Sequence, residues 1–309
     1  MRTTLPSIPS GGASHHGHDF RHDDPRQRLI VALDVSTAAA AHKIVAAVGD
    51  SALTYKIGMQ LYTAEGPRLV RDLVGSGRRV FLDLKYHDIP NTVGAAVAEA
   101  AKLGVSMLTI HSSGSSKMMR AAVEAAKTRP ELLVLAVTVL TSLDEGDLEK
   151  IGVRGTVQDT VVRLATMALA NGCQGVVASA QEASSLRATL GDAFAIVTPG
   201  IRPAGGSVGD QVRVVTPAEA IAAGASHIVV GRPITEAPDP AGEARAILEQ
   251  ISRGADPVRA ERDARDIEII NRNADQLNAE AEDGLDDQAP WDIHDNKDNR
   301  PEKKKSRKR

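Results

Sequence analysis

The stretch FLDLKYHDI, Phe81 to Ile89, brings Asp83, Lys85 and Asp88 close together at the end of an apolar run. Residues two apart on a strand point to the same face, so Asp83 and Lys85 share one face and Asp88 lies just past the strand's carboxyl end. A lysine set between two carboxylates can supply fixed positive charge and a proton to a reacting centre. Packed this tightly, each charge needs a partner if it is buried. Two readings fit the spacing: a solvated ion-pair network on a loop, and a catalytic cluster.

The elements around this stretch decide between them. From Arg28 onward, short apolar runs alternate with helical segments: RLIVALD, LTYKIG, RVFLDLK, VSMLTIH, LLVLAVTVL, GVVAS, FAIVTPG and HIVVG. Near-continuous apolar strands are expected where helices cover both faces of a parallel sheet. Between them lie Ala-rich segments such as TAAAAHKIVAAVG and NTVGAAVAEAAKLG, several closed by glycine. Eight strand–helix units predict a closed (β/α)8 TIM barrel. A doubly wound open sheet is the alternative, weakened by the missing G-x-G-x-x-G after the first strand.

Barrels of this type carry their chemistry at the carboxyl ends of the strands. Asp34, Lys56, the Asp83–Lys85–Asp88 group, His111, Thr141 with Ser142, the run Thr198–Pro203, and Gly231 with Arg232 all fall at such ends. Their convergence on one mouth favours the catalytic reading. Loops after the seventh and eighth strands often hold phosphate, and here they offer Gly200, Arg202, Gly231 and Arg232. Glycine lets backbone N–H groups approach an anion, and arginine forks onto its oxygens. The Gly-rich loop Pro203 to Gln211 is long and polar enough to close over a ligand. His111 reads as a satisfied structural histidine.

The bulk composition narrows the function class. A net charge of −3 gives no basic field for nucleic acid or a membrane surface, and 2% aromatic residues leave few stacking platforms for bases. No apolar run reaches the ~20 residues that span a bilayer. The single cysteine, Cys173, allows no internal disulfide, which suits a reducing cytoplasm, and its apolar surroundings read as core.

Both ends differ from the middle. Residues 1–26 show no apolar period and read as a disordered leader, in which His15, His16, His18 and His22 form a solvated cluster more readily than a metal site. Residues 27–252 form the barrel. Residues 253–309 form a charged tail, with one amphipathic helix whose stripe includes Ile267, Ile270 and Leu277, followed by the basic end KKKSRKR.

Several of these runs occur in the same order in a known family. LIVALD, the lysine of YKIG, FLDLKYHDIPNT, VTVLTS, VTPGIRP, GDQ and VVGRPIT resemble the orotidine 5′-phosphate decarboxylases from about Arg28 to Ile251. The resemblance implies a (β/α)8 homodimer that makes uridine 5′-phosphate, in the last step of de novo pyrimidine synthesis, with no metal or organic cofactor. It implies a charged tetrad of Lys56, Asp83, Lys85 and Asp88, with Asp88 and Thr92 acting across the dimer interface. It places Asp34 and Lys56 on ribose hydroxyls and Thr141 near the pyrimidine. Arg202, Gln211, Gly231 and Arg232 then hold the phosphate and the gate loop. Within that frame Lys85 protonates the C6 carbanion and Asp83 crowds the departing carboxylate. The segment INRNADQLNAEAED resembles the toxin-binding ends of small bacterial antitoxins, which makes the tail a candidate binder of another protein.

Three competing functions share parts of this pattern. Keto-gulonate phosphate decarboxylases and hexulose phosphate synthases carry D-x-K-x-x-D but use magnesium. A Schiff-base aldolase on Lys85 or Lys56 needs a neutral amine, which the flanking acids oppose. From a different class, the chain is a binding module in which the C-terminal helix captures a partner.

Overall fold

The computed structural model describes Phe20 and residues 24–203 and 215–256. The eight apolar runs form eight strands: β1 (Leu29–Ala32), β2 (Thr54–Gly58), β3 (Arg79–Tyr86), β4 (Met107–His111), β5 (Leu133–Val137), β6 (Gly175–Val177), β7 (Ala195–Thr198) and β8 (His227–Val230). They pair in parallel in chain order, and β8 closes on β1 through Leu29–Ile228, Ile30–Val229 and Val31–Val230. The closed barrel replaces the open-sheet alternative.

Helices follow the strands: α1 (Ala38–Val48), α2 (Met59–Gly75), α3 (Pro90–Lys102), α4 (Ser116–Ala126), α5 (Glu145–Lys150), α6 (Val157–Ala170), α7 (Ala180–Leu190), α8 (Pro217–Ala222), α9 (Arg232–Thr235) and α10 (Pro240–Ala255). Their starts are written in the sequence. Thr37 and Thr156 each accept a backbone N–H three residues on, and Ser179–Glu182 and Thr216–Glu219 form reciprocal capping boxes. Helix α2 is interrupted at Gly66, whose φ is +66°, just before Pro67.

Strand alternation sorts the apolar residues into two shells. Leu29, Val31, Tyr55, Ile57 and Leu82 face outward into the layer under the helices. Ile30, Ala32, Phe81, Leu135, Val197 and Val229 fill the barrel interior. Gly175 on β6 has no room for a side chain: a Cβ there would lie 2.5 Å from the Ala195 carbonyl oxygen.

Two features extend the barrel beyond its strands. Phe20, inside the segment read as leader, is 8% exposed and joins the interior cluster. Asp24 then caps the short 3-10 turn Pro25–Gln27 that leads into β1. At the other end, α10 runs past Ser252 to Ala255, with Ala244, Ile247, Ile251 and Gly254 buried. Gly254 sits so close to α8 that a Cβ would meet the Ala218 carbonyl oxygen at 2.3 Å. The histidine cluster of the leader, the C-terminal helix with its basic end, and Gln211 with the rest of the Gly-rich loop after Pro203 lie outside the described residues.

Candidate active site

The site is built on adjacent strands by interior-facing positions near their carboxyl ends. Lys56 is the third residue of β2, and Asp34 lies two residues beyond β1. Lys56 Nζ donates to Asp34 Oδ1 at 2.9 Å and lies 3.9 Å from Asp83 Oδ2. Gly58 keeps this corner open, since a Cβ there would stand 3.2 Å from Lys56 Nζ. Lys85 Nζ donates to both Asp83 oxygens, at 2.9 and 3.0 Å. The Asp83 carboxylate is thus flanked by two ammonium groups, and its side chain is only 14% exposed. Lys56, Asp83 and Lys85 are the partly desolvated members, with opposite charges in contact, while Asp34 stays open to solvent.

Simple alternation does not account for how Asp83 and Lys85 meet. Across β3 and β4, Leu82 pairs with Leu108 and Tyr86 with Ile110. Over that interval β3 advances four residues while β4 advances two, so β3 carries two extra residues in a bulge. Lys85 adopts φ +53°, in the left-handed region that a non-glycine residue occupies at a cost of ~1–2 kcal/mol. The side chain of Thr109, opposite the bulge, takes up the slack. Its Oγ1 accepts the Lys85 backbone N–H at 2.9 Å and donates to Asp83 Oδ1 at 2.9 Å. Thr109 was not among the residues singled out from the sequence. The available signal was a hydroxyl in the middle of the apolar strand MLTIH.

Lys56, Asp83, Lys85 and Thr141 line a cavity of about 180 Å³ whose opposite wall is apolar, with Val137, Val177, Val197, Pro199 and Val229. A charged side facing an apolar side suits a flat, polar-edged ligand. A larger hollow of about 480 Å³ adjoins it and shares Val139, Leu140, Thr141 and Pro199. Its described lining carries Asp144 and Glu182 but no lysine or arginine, so the smaller cavity is the better place for an anion.

The remaining predicted residues are distributed around this cavity. Gly231 follows β8 and Arg232 begins α9, while Gly231 stands near Asp34: a Cβ there would lie 3.8 Å from Asp34 Oδ2. Arg202 is buried past the end of β7 and donates to the Ile201 carbonyl. Asp88 is exposed, its carboxylate accepting the Ile89 backbone N–H at 2.6 Å, and Thr92 is exposed on the first turn of α3. Among the described residues Asp88 makes no hydrogen bond or ion pair with Asp83, Lys56 or Lys85, so the four charges of the predicted tetrad do not assemble in one subunit. His111 ends β4, its ring 5.3 Å from that of His87. Burial holds its pKa below the usual imidazole value, and nearby His87 and Lys85 add to this.

This geometry belongs with a matching sequence family. The profile of the orotidine 5′-phosphate decarboxylase / HUMPS family matches residues 27–247. The chain belongs to that family. A relative called orotidine 5′-phosphate decarboxylase, from Afipia carboxidovorans, is 54% identical over 229 residues, covering 74% of this chain and 96% of the relative. One of the same name from Anaeromyxobacter dehalogenans is 51% identical over 72% of this chain and 97% of its own length. Among solved structures, orotidine 5′-phosphate decarboxylase from Lactobacillus acidophilus superposes with a TM-score of 0.66 at 38% identity, covering 72% of this chain and 98% of that one. The family match ends before the charged tail begins, and no described helix is long and apolar enough to cross a membrane.

Proposed function

We propose that this chain decarboxylates orotidine 5′-phosphate to uridine 5′-phosphate with no metal or organic cofactor, as a cytoplasmic enzyme of pyrimidine synthesis. The observation that carries the reading is the Lys85 ammonium, clamped by both oxygens of Asp83 at the edge of the cavity. Loss of CO₂ from C6 of the orotate ring leaves a carbanion with little resonance relief. A fixed ammonium stabilises that charge as it forms and then donates a proton to C6. Asp83 holds Lys85 in orientation through both of its oxygens, and sits where the departing carboxylate must lie. Lys56 and Asp34 face the ribose hydroxyls, Thr141 meets the pyrimidine, and Arg202, Gln211, Gly231 and Arg232 serve the phosphate. Binding energy from the remote phosphate holds the reactive arrangement in place.

The same reading makes the active site a property of a homodimer, with Asp88 and Thr92 completing the neighbouring subunit's site. Its support here is that Asp88 and Thr92 are exposed beside Ile89, a large apolar side chain left 65% exposed. Loss of orotidine 5′-phosphate absorbance in excess EDTA tests the function. Full turnover is expected. A strict magnesium requirement, or turnover only of a sugar phosphate, would move the assignment to the keto-gulonate phosphate decarboxylases or hexulose phosphate synthases.

A further inference from the structure

Thr109 touches both members of the Asp83–Lys85 pair with a single hydroxyl. Its Oγ1 has one proton to give and gives it to Asp83 Oδ1, and it accepts the Lys85 backbone N–H with a lone pair. That N–H belongs to the residue with φ +53°, in the stretch where β3 carries two residues more than β4. Thr109 is fully buried, so water does not substitute for it. It does not line the cavity and so does not meet the ligand.

We propose that Thr109 is a positioning residue for the decarboxylation. Its hydroxyl ties the Asp83 carboxylate to the backbone that carries Lys85, so the ammonium and the carboxylate move as one unit and stay aimed at the same point. Without it, two things are released together. The left-handed backbone at Lys85 loses the bond that holds it, and Asp83 loses one of the donors that fix its plane. The effect falls on turnover because the displaced atom is the proton donor, and substrate contacts elsewhere in the cavity remain. This inference rests on the decarboxylase reading of the site.

The test uses the full chain as wild type and as Thr109→Val, Thr109→Ala and Thr109→Ser, with melting temperatures recorded for each. For Thr109→Val we expect kcat to fall ~30-fold, about 2 kcal/mol at the tenfold-per-1.4 conversion, with KM within about threefold. Thr109→Ser keeps the hydroxyl and should stay within about threefold of wild type in kcat. Should the valine variant fail to fold, the comparison of alanine with serine isolates the hydroxyl in the same way. A kcat for the hydroxyl-free variant equal to that of Thr109→Ser overturns the proposal, as does a loss confined to KM. If the wild-type chain leaves orotidine 5′-phosphate unchanged, the reading of the site fails and this inference falls with it. If wild type turns over and valine matches it, only the role of Thr109 is lost.

Discussion

The two ends of the barrel interior are built from the same strands and obey opposite rules. Toward the amino ends the filling is apolar, with Met107, Leu133 and Ala195 opening β4, β5 and β7. Phe20, nine residues ahead of the start of β1, joins the same interior cluster. Toward the carboxyl ends the same interior stripes turn into Lys56, Asp83, Lys85 and Thr109, with a bulge and a left-handed residue. On β3 the change takes one step, from Phe81 to Asp83. One end lowers free energy by removing apolar area from water. The other accepts strain and partial desolvation of charge to hold groups in place, and it can do so because the rest of the barrel over-determines the backbone. On the proposed reading, stability and chemistry therefore answer to different residues within one core.

The sharpest way to break this contrast is Lys85→Ala. On the proposed reading it removes ammonium and proton donor together and should lower kcat by more than ~3–4 kcal/mol of transition-state stabilisation, at least a hundredfold. Asp83 keeps Thr109 and Lys56 as neighbours, so the melting temperature should change little. Steady-state kinetics and calorimetry on the same preparation check both halves. A kcat within tenfold of wild type would remove Lys85 from the mechanism.

Next in size is complementation across the proposed interface. Lys85→Ala and Asp88→Ala should each be nearly inactive alone. If Asp88 serves the neighbouring site, a mixed dimer collects both lesions in one site and none in the other, so about half of wild-type activity returns per heterodimer. No recovery after verified subunit exchange would place Asp88 in its own subunit's site or outside the chemistry.

The amino end should answer in the opposite way. Phe20→Ala removes a buried aromatic group and should cost ~3 kcal/mol of stability. In a barrel of this size that is about 6–12 °C in Tm. Below the transition, kcat/KM should stay within about twofold, because nothing at the mouth is touched. Loss of turnover with unchanged Tm would show that the two ends are coupled.

The smallest effect is expected from removing the tail. The cut belongs after Asp256, not at Ser252, because Gly254 still packs on α8. A chain ending there should keep the oligomeric state of the full chain and its kcat/KM within about threefold, since every proposed site residue precedes it. A large drop in Tm or in turnover would place part of the tail on the barrel.

The fold was legible because its physics is local and repeated. A strand buried on both faces is apolar along most of its length, and all eight runs carry that mark and become the eight strands. The places of Asp34, Lys56, Asp83 and Lys85 were legible too, since a charge at the end of such a run has few other uses. Thr37 and Thr156 cap the helices that follow them by the same short-range logic, although the sequence reading did not single them out. What tertiary structure alone decided were the cases where a distant residue sets the meaning of a near one. Thr109 is an ordinary strand hydroxyl until β3 bulges opposite it. Phe20 is a stray aromatic in a polar leader until a closed barrel offers it an interior. Lys85 reads in the sequence as a partner of Asp83 by strand alternation and instead meets it through a left-handed turn of the backbone. Sequence fixes which groups a segment can present, through propensity and pattern. Which of them meet, and at what strain, depends on contacts between segments far apart in the chain, and these exist only once the barrel has closed.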